Sequence, residues 1–311
     1  ATTVAGIPLY LGDSSSIYTH DVSGTDNSAE SNAAYGISAL DAITTGDSNV
    51  AIGAQAGTDM NTGNKNVMIG KNAFANATSA AENVIIGYLA GSAQAATSGL
   101  NVVIGNEAAE EMTSMSEATV VGYKAATSNT TGSHILAMGY LAYDGADTEN
   151  HNLAIGSNAL GGSVAGGEFN VAVGNYTLDA LTSGDTNVAI GYSAASAATT
   201  TTNSVYIGAN AAATGVVTGN QNAIVGAESG SNLTSGNLNM VLGPYSLKEC
   251  TTGSRNIAIG SDAVRYPDTE SNNIGIGFQA LGGSSLAGGE YNVAIGNNTL
   301  DALTSGDYNV V

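Results

Sequence analysis

The chain has 311 residues, of which 43% are hydrophobic, 10% are charged and 42 are glycine, with no tryptophan. That is too apolar for a disordered chain and well below the roughly 25% charge of an ordinary domain. A net charge of −20 with only 6 Lys and Arg disfavours nucleic-acid binding, which needs clustered cations, and anionic membrane surfaces.

The first residues, "ATTVAGIPLYLGDSSS", lack the basic region of a signal peptide. Residues 1–31 follow no period and are expected to form an irregular coil or cap over an end that would otherwise invite strand pairing. No run reaches the roughly 18 apolar residues of a membrane span, so no membrane insertion is expected here. Cys250 is the one cysteine, so no intrachain disulfide can form. An acidic, lysine-poor surface suits an extracellular object.

From Asn32 onward one motif repeats: "NVAIG" at Asn49–Gly53, "NVMIG" at Asn66–Gly70, "NVIIG" at Asn83–Gly87 and "NVVIG" at Asn101–Gly105. The closing glycine serves as a ruler. It falls at Gly36, Gly53 and Gly70 and continues to Gly277 and Gly296 with spacings of 17 or 18, the last being 19. A short fixed period over nearly the whole chain predicts a solenoid array spanning 32–311. The chain stops at "DYNVV", part-way through the motif, so a continuation beyond Val311 is expected.

Within each motif the residues three and one before the glycine are apolar and often β-branched, as in Val50/Ile52 and Ile257/Ile259. This period of two predicts a strand, with these residues pointing into the coil. The middle residue, such as Ala51, Ile85 or Ala189, is apolar too. A strand apolar on both faces is buried on both, so the middle residues are expected to face a partner chain, making the protein an oligomer. The leading asparagine (Asn32, Asn49, Asn66 and onward) predicts an amide ladder, interrupted at Ala118, Ile135 and Ser204.

After the ruler glycine comes a position usually held by a small residue, such as Ala56 or Ala73, where a second short strand is expected. Turn residues such as "TSGDTN" (Thr182–Asn187) close each coil. The near copies "ALGGSVAGGEFNVAVG" (Ala159–Gly174) and "ALGGSSLAGGEYNVAIG" (Ala280–Gly296) differ by one residue inside Gly161–Glu168 and Gly282–Glu290, which are therefore expected to be loops. The fold class is all-β: a parallel β-solenoid of about sixteen coils of roughly 17 residues.

The N-V-A-I-G-x-x-[AST] motif resembles the repeats of trimeric left-handed parallel β-rolls found in bacteriophage tail fibres and in the heads of trimeric autotransporter adhesins. The resemblance covers about Asn32 to Val311, and the spacing is closer to the longer-looped phage repeats. It implies a homotrimer and a structural or adhesive extracellular fibre segment on a virion surface. A bacterial surface adhesin is the alternative. The partner it implies is a host-surface glycan or protein receptor.

No catalytic signature appears: there is no G-x-S-x-G, H-E-x-x-H or P-loop. A repeating coil makes a ridge rather than a pocket, so no enzyme and no cofactor are expected. The residue before the motif varies, which implies exposure. Glu117, His134 and His151 occupy that column on consecutive coils, a His/His/Glu set chemically suited to a divalent metal. A solvated polar column explains the same residues and is the favoured reading. Tyr123 and Tyr140 share another exposed column, where they would pack on each other or on sugar rings. The "GD" turns at Asp47, Asp185 and Asp307 lack the aspartate density of calcium-binding β-rolls.

Overall fold

The computed structural model describes residues 2–4, 7–11, 16–20, 26–93, 99–163, 166–283, 286 and 288–311. They form two compact units, Ala1–Asn152 and Leu153–Val311. Both are parallel β-solenoids with one coil per repeat, and the described residues include no helix. No helix is long and apolar enough to cross a membrane among them.

In the first unit β1 (Thr2–Val4) pairs antiparallel with β2 (Ile7–Leu11), and β2 pairs antiparallel with β3 (Ile17–Tyr18). Of the expected irregular start, residues 1, 5–6, 12–15 and 21–25 lie outside the described residues. From β3 the ladder is parallel and in register. It runs through β4 (Ala33–Tyr35), β5 (Val50–Ile52), β6 (Val67–Ile69), β7 (Val84–Ile86), β8 (Val102–Ile104), β9 (Thr119–Val121) and β10 (Leu136–Met138).

The second unit repeats the pattern. Its strands are β11 (Leu153–Ile155), β12 (Val171–Val173), β13 (Val188–Ile190), β14 (Val205–Ile207), β15 (Ala223–Val225), β16 (Met240–Leu242), β17 (Ile257–Ile259), β18 (Ile274–Ile276) and β19 (Val293–Ile295). They are parallel throughout, pairing for example Val188 with Val205 and Ala189 with Tyr206.

The strand faces are the reverse of the expected ones. Ala51, Ile85, Val103 and Ala189, at the middle position, are fully buried inside their own coil. The flanking Val and Ile point outward and are half-buried or exposed; Ala189 is 0% accessible and the adjacent Ile190 is 39%. Parity explains the inversion. The leading asparagines are buried, and strand alternation turns the residue two further on to the same side. The asparagine, the middle residue and the ruler glycine therefore share the inner face, and the β-branched pair must share the outer one.

The expected second strand is absent among the described residues. After the ruler glycine the backbone turns, with left-handed residues two and four positions on, as at Gln55 (φ 60) and Gly57 (φ 57). These residues still bond between coils: the Gln55 N–H donates to the Ile37 carbonyl at 2.8 Å and the Gly57 N–H to the Ala73 carbonyl at 2.9 Å. The described parts of Gly161–Glu168 and Gly282–Glu290 contain no strand; residues 164–165, 284–285 and 287 lie outside the described residues.

The ruler glycine is a steric requirement. Gly243 has φ +142, and a Cβ built there would lie 2.5 Å from the carbonyl oxygen of Gly260 on the next coil. Interior volumes compensate between positions. Met68 fills the space beside Gly57, and Val264 the space beside Gly275, where an added Cβ would meet the Val264 Cγ2 at 2.5 Å.

Candidate functional site

Glu117, His134 and His151 lie in one exposed column of the first unit, each with a left-handed backbone (φ 54, 58 and 58). The His134 Nε2 lies 3.1 Å from a Glu117 carboxylate oxygen, and the His134 and His151 rings stack with centroids 4.7 Å apart. The structure thus brings the three together as a chain along the axis. Among the described residues no group of three or more His, Cys, Asp or Glu is placed to hold a metal ion. A chain with one residue per coil aims side chains in parallel, whereas a metal needs them to converge.

The turn carboxylates are engaged by backbone. Asp47, Asp185 and Asp307 accept the N–H groups of Glu30, Glu168 and Glu290 on the preceding coil at 2.8, 2.9 and 2.9 Å. Asn64, Asn150 and Asn237 do the same for Asp47, Ser133 and Asn220. This second inter-coil ladder was not foreseen from the sequence, because Asp, Asn, Ser and Thr alternate in it. The signal was the shared ability to accept a hydrogen bond rather than a shared residue type. Cys250 is buried inside its coil, and burial pushes its thiol up to about 12. The Glu110 carboxyl is held above the usual carboxylate range, first by burial and then by the charge of Glu107.

Tyr123 and Tyr140 stack on each other, with centroids 5.6 Å apart and planes 14° from parallel, so each covers a face of its neighbour. Lys124 lies beside Tyr123 and pairs with Glu107 at 3.1 Å.

The outer strand face of each unit is chemically uniform. In the second unit it presents two rows over nine coils, from Leu153/Ile155 through Val188/Ile190 and Met240/Leu242 to Val293/Ile295. Neither row contains a charged residue in either unit. Ile52, Ile190, Met240, Leu242 and Ile295 are among the exposed large hydrophobics. A continuous apolar strip of this kind marks an interaction surface.

On several coils a groove lies between the residues two and five positions after the ruler glycine. In the second unit two clefts, about 540 and 370 Å³, share Ser193 and Ser196. The first is bounded by Tyr176, Tyr192 and Asp179; the second continues past Asn210, Thr214 and Ser231 to Lys248. Tyr176 and Tyr192 meet edge to face, with centroids 6.1 Å apart and planes at 82°. Burial holds the Asp179 carboxyl above the usual carboxylate range. At the far end Lys248 pairs with Glu228 at 2.7 Å and lies over the Tyr245 ring at 5.1 Å. Nearby, Arg265 pairs with Asp262 at 2.6 Å. Sequence reasoning missed this groove because its lining residues look like unremarkable loop positions until the turns bring them together.

No family model matches this chain, and neither a curated protein nor a solved structure does so.

Proposed function

We propose that this chain is a non-catalytic structural or adhesive segment of an extracellular fibre, assembled as a homotrimer and of the kind carried on bacteriophage tails. The observation that carries the reading is the pair of uncharged Val/Ile rows on the outer strand face of each unit. Identical coils in a second and third copy would match those rows residue for residue, which is the geometry a symmetric homo-oligomer uses. The stoichiometry of three comes from the resemblance of the N-V-A-I-G repeat to trimeric β-rolls, and the 17- or 18-residue spacing favours the phage repeats. Each coil adds the same inter-coil bonds, a design suited to carrying load along an array rather than to chemistry at one point.

Native mass spectrometry of the intact chain tests the assembly, and incubation with bacterial surface polysaccharides tests the absence of catalysis. The reading expects three copies per particle and no released oligosaccharide. A stable monomer, or oligosaccharide release abolished by substituting a carboxylate in these coils, would overturn it.

A further inference from the structure

We infer that the groove of the second unit, from Tyr176 to Lys248, binds a neutral oligosaccharide lying along the coils. The inference deepens the fibre reading by naming the chemistry such a segment would hold, and it rests on that reading for its biological sense.

The first support is dimension. The groove passes Tyr176, Ser193, Asn210, Glu228 and Lys248, one on each of five consecutive coils. Four coil spacings of about 4.8 Å make a track of roughly 19 Å. Each spacing is close to the length of one pyranose ring in an extended glycan, so a linear chain would meet equivalent protein groups at each sugar.

The second support is the lining. Ser193, Ser196, Asn210, Thr214, Ser231 and Asn232 supply hydroxyls and amides that both donate and accept hydrogen bonds, matching sugar hydroxyls. The one lining cation, Lys248, is paired with Glu228, Asp179 adds a further negative charge, and the amide of Asn232 donates to Glu249 at 2.6 Å. The groove therefore has no excess of cations to hold an acidic polymer, and the chain's charge of −20 would repel one.

The third support is the aromatic rings. Tyr192 is 56% exposed and meets Tyr176 edge to face, which leaves ring surface open at the mouth of the track. Open aromatic faces take the C–H side of a pyranose ring as they take other weakly polarised C–H groups. Tyr245, beyond the other end, has Lys248 over its ring at 5.1 Å and Arg265 at 5.9 Å, so the open ring surface is that of Tyr176 and Tyr192. The first unit provides an internal comparison. Its corresponding cleft, about 280 Å³, is lined by Gln55, Asn72 and Leu89 at the positions that Tyr176, Ser193 and Asn210 hold here, and it has no ring. The stacked Tyr123–Tyr140 pair, by contrast, covers one face of each of its rings.

The test is a binding array of neutral di- and tetrasaccharides, with acidic tetrasaccharides as a second arm, probed with the intact chain. Binding should rise at least tenfold from disaccharide to tetrasaccharide. It should fall at least tenfold in Tyr176→Ala/Tyr192→Ala and stay unchanged in Leu89→Ala. No binding to any neutral tetrasaccharide, tighter binding to the acidic ones, or full binding by the double variant would overturn the inference. Sedimentation of every variant separates the two readings. A trimer that binds no glycan defeats the groove alone, whereas a glycan-binding monomer defeats the fibre reading alone.

Discussion

The side-chain oxygen of Asn222 accepts two hydrogen bonds from Asn239 on the next coil, one from its backbone N–H at 3.0 Å and one from its side-chain amide at 3.1 Å. The Asn239 amide also donates to the Gly253 carbonyl at 2.9 Å, and its oxygen accepts the Asn256 N–H at 3.0 Å. One buried side chain thus joins three consecutive coils.

Replacing it should be costly. Asn239→Ala leaves the buried Asn256 N–H without its acceptor, a penalty of about 1–3 kcal/mol. Asn239→Ser should cost less, because Ser204 already does this work: its hydroxyl accepts the Asn222 N–H at 3.1 Å. Thermal melts of the two variants should rank Ser above Ala and both below the parent. Equal melting for all three would mean that the ladder carries no stability.

Gly243→Ala tests the ruler position. An alanine there needs a backbone conformation that L-residues rarely adopt, at φ +142, and meets the Gly260 carbonyl. The conformational strain alone is of order 1–3 kcal/mol. Urea titration should show a lower midpoint, while Gly166→Ala, which shares a positive φ (+95) but whose Cβ meets nothing within 4 Å, should lose less, the difference reporting the clash.

Ala189 and Ile190 are neighbours in sequence with opposite fates. Ala189→Lys places an unpaired charge inside a coil, which costs several kcal/mol. Circular dichroism should show loss of the folded β signal or a large drop in melting temperature. If Ala189→Lys folded as well as the parent, the placing of the middle residue inside the coil would be wrong.

Stability should fall in alkali through Cys250. Its thiol is held at about 12 by burial, against about 8.5 in an unfolded chain. Between those values the unfolded state has lost a proton that the folded state keeps. The contribution is therefore fully present below about pH 8.5 and declines as pH rises toward about 12, by at most about 1.4 kcal/mol per unit. Tyr18, also pushed up to about 12 chiefly by burial, adds the same sign above its ordinary value of 10.0. Urea midpoints from pH 7 to 10 should fall more steeply for the parent than for Cys250→Ala. The thiol should react with iodoacetamide only in denaturant.

Much of the architecture was legible because the ruler glycine and the leading asparagine each have one physical solution. The glycine is fixed by its positive φ and the close carbonyl of the next coil, and the asparagine by its three partners. The direction of the strand faces was misread because Val50 and Ile52 are more apolar than Ala51, and hydrophobicity alone assigned them to the interior. Burial of the asparagine decides the parity, and a preference scale does not contain it. The turns after the glycine were misread because their left-handed residues are mostly not glycine: Leu40, Phe74 and Val264 adopt φ of 55, 52 and 45. Inter-coil bonds override the intrinsic cost there. The exposed Glu117–His134–His151 column was legible from variability, but the convergence that a metal needs is a property of space.

The central claim is that copies of this chain meet through the outer Val/Ile rows, and sedimentation equilibrium of the parent beside Ile190→Lys tests it most directly. The account predicts a parent of three times 30.7 kDa and a variant that sediments at 30.7 kDa or dissociates at far higher concentration, with its β signal retained. A parent that is folded and monomeric at micromolar concentration, or a variant that assembles as tightly as the parent, would contradict it.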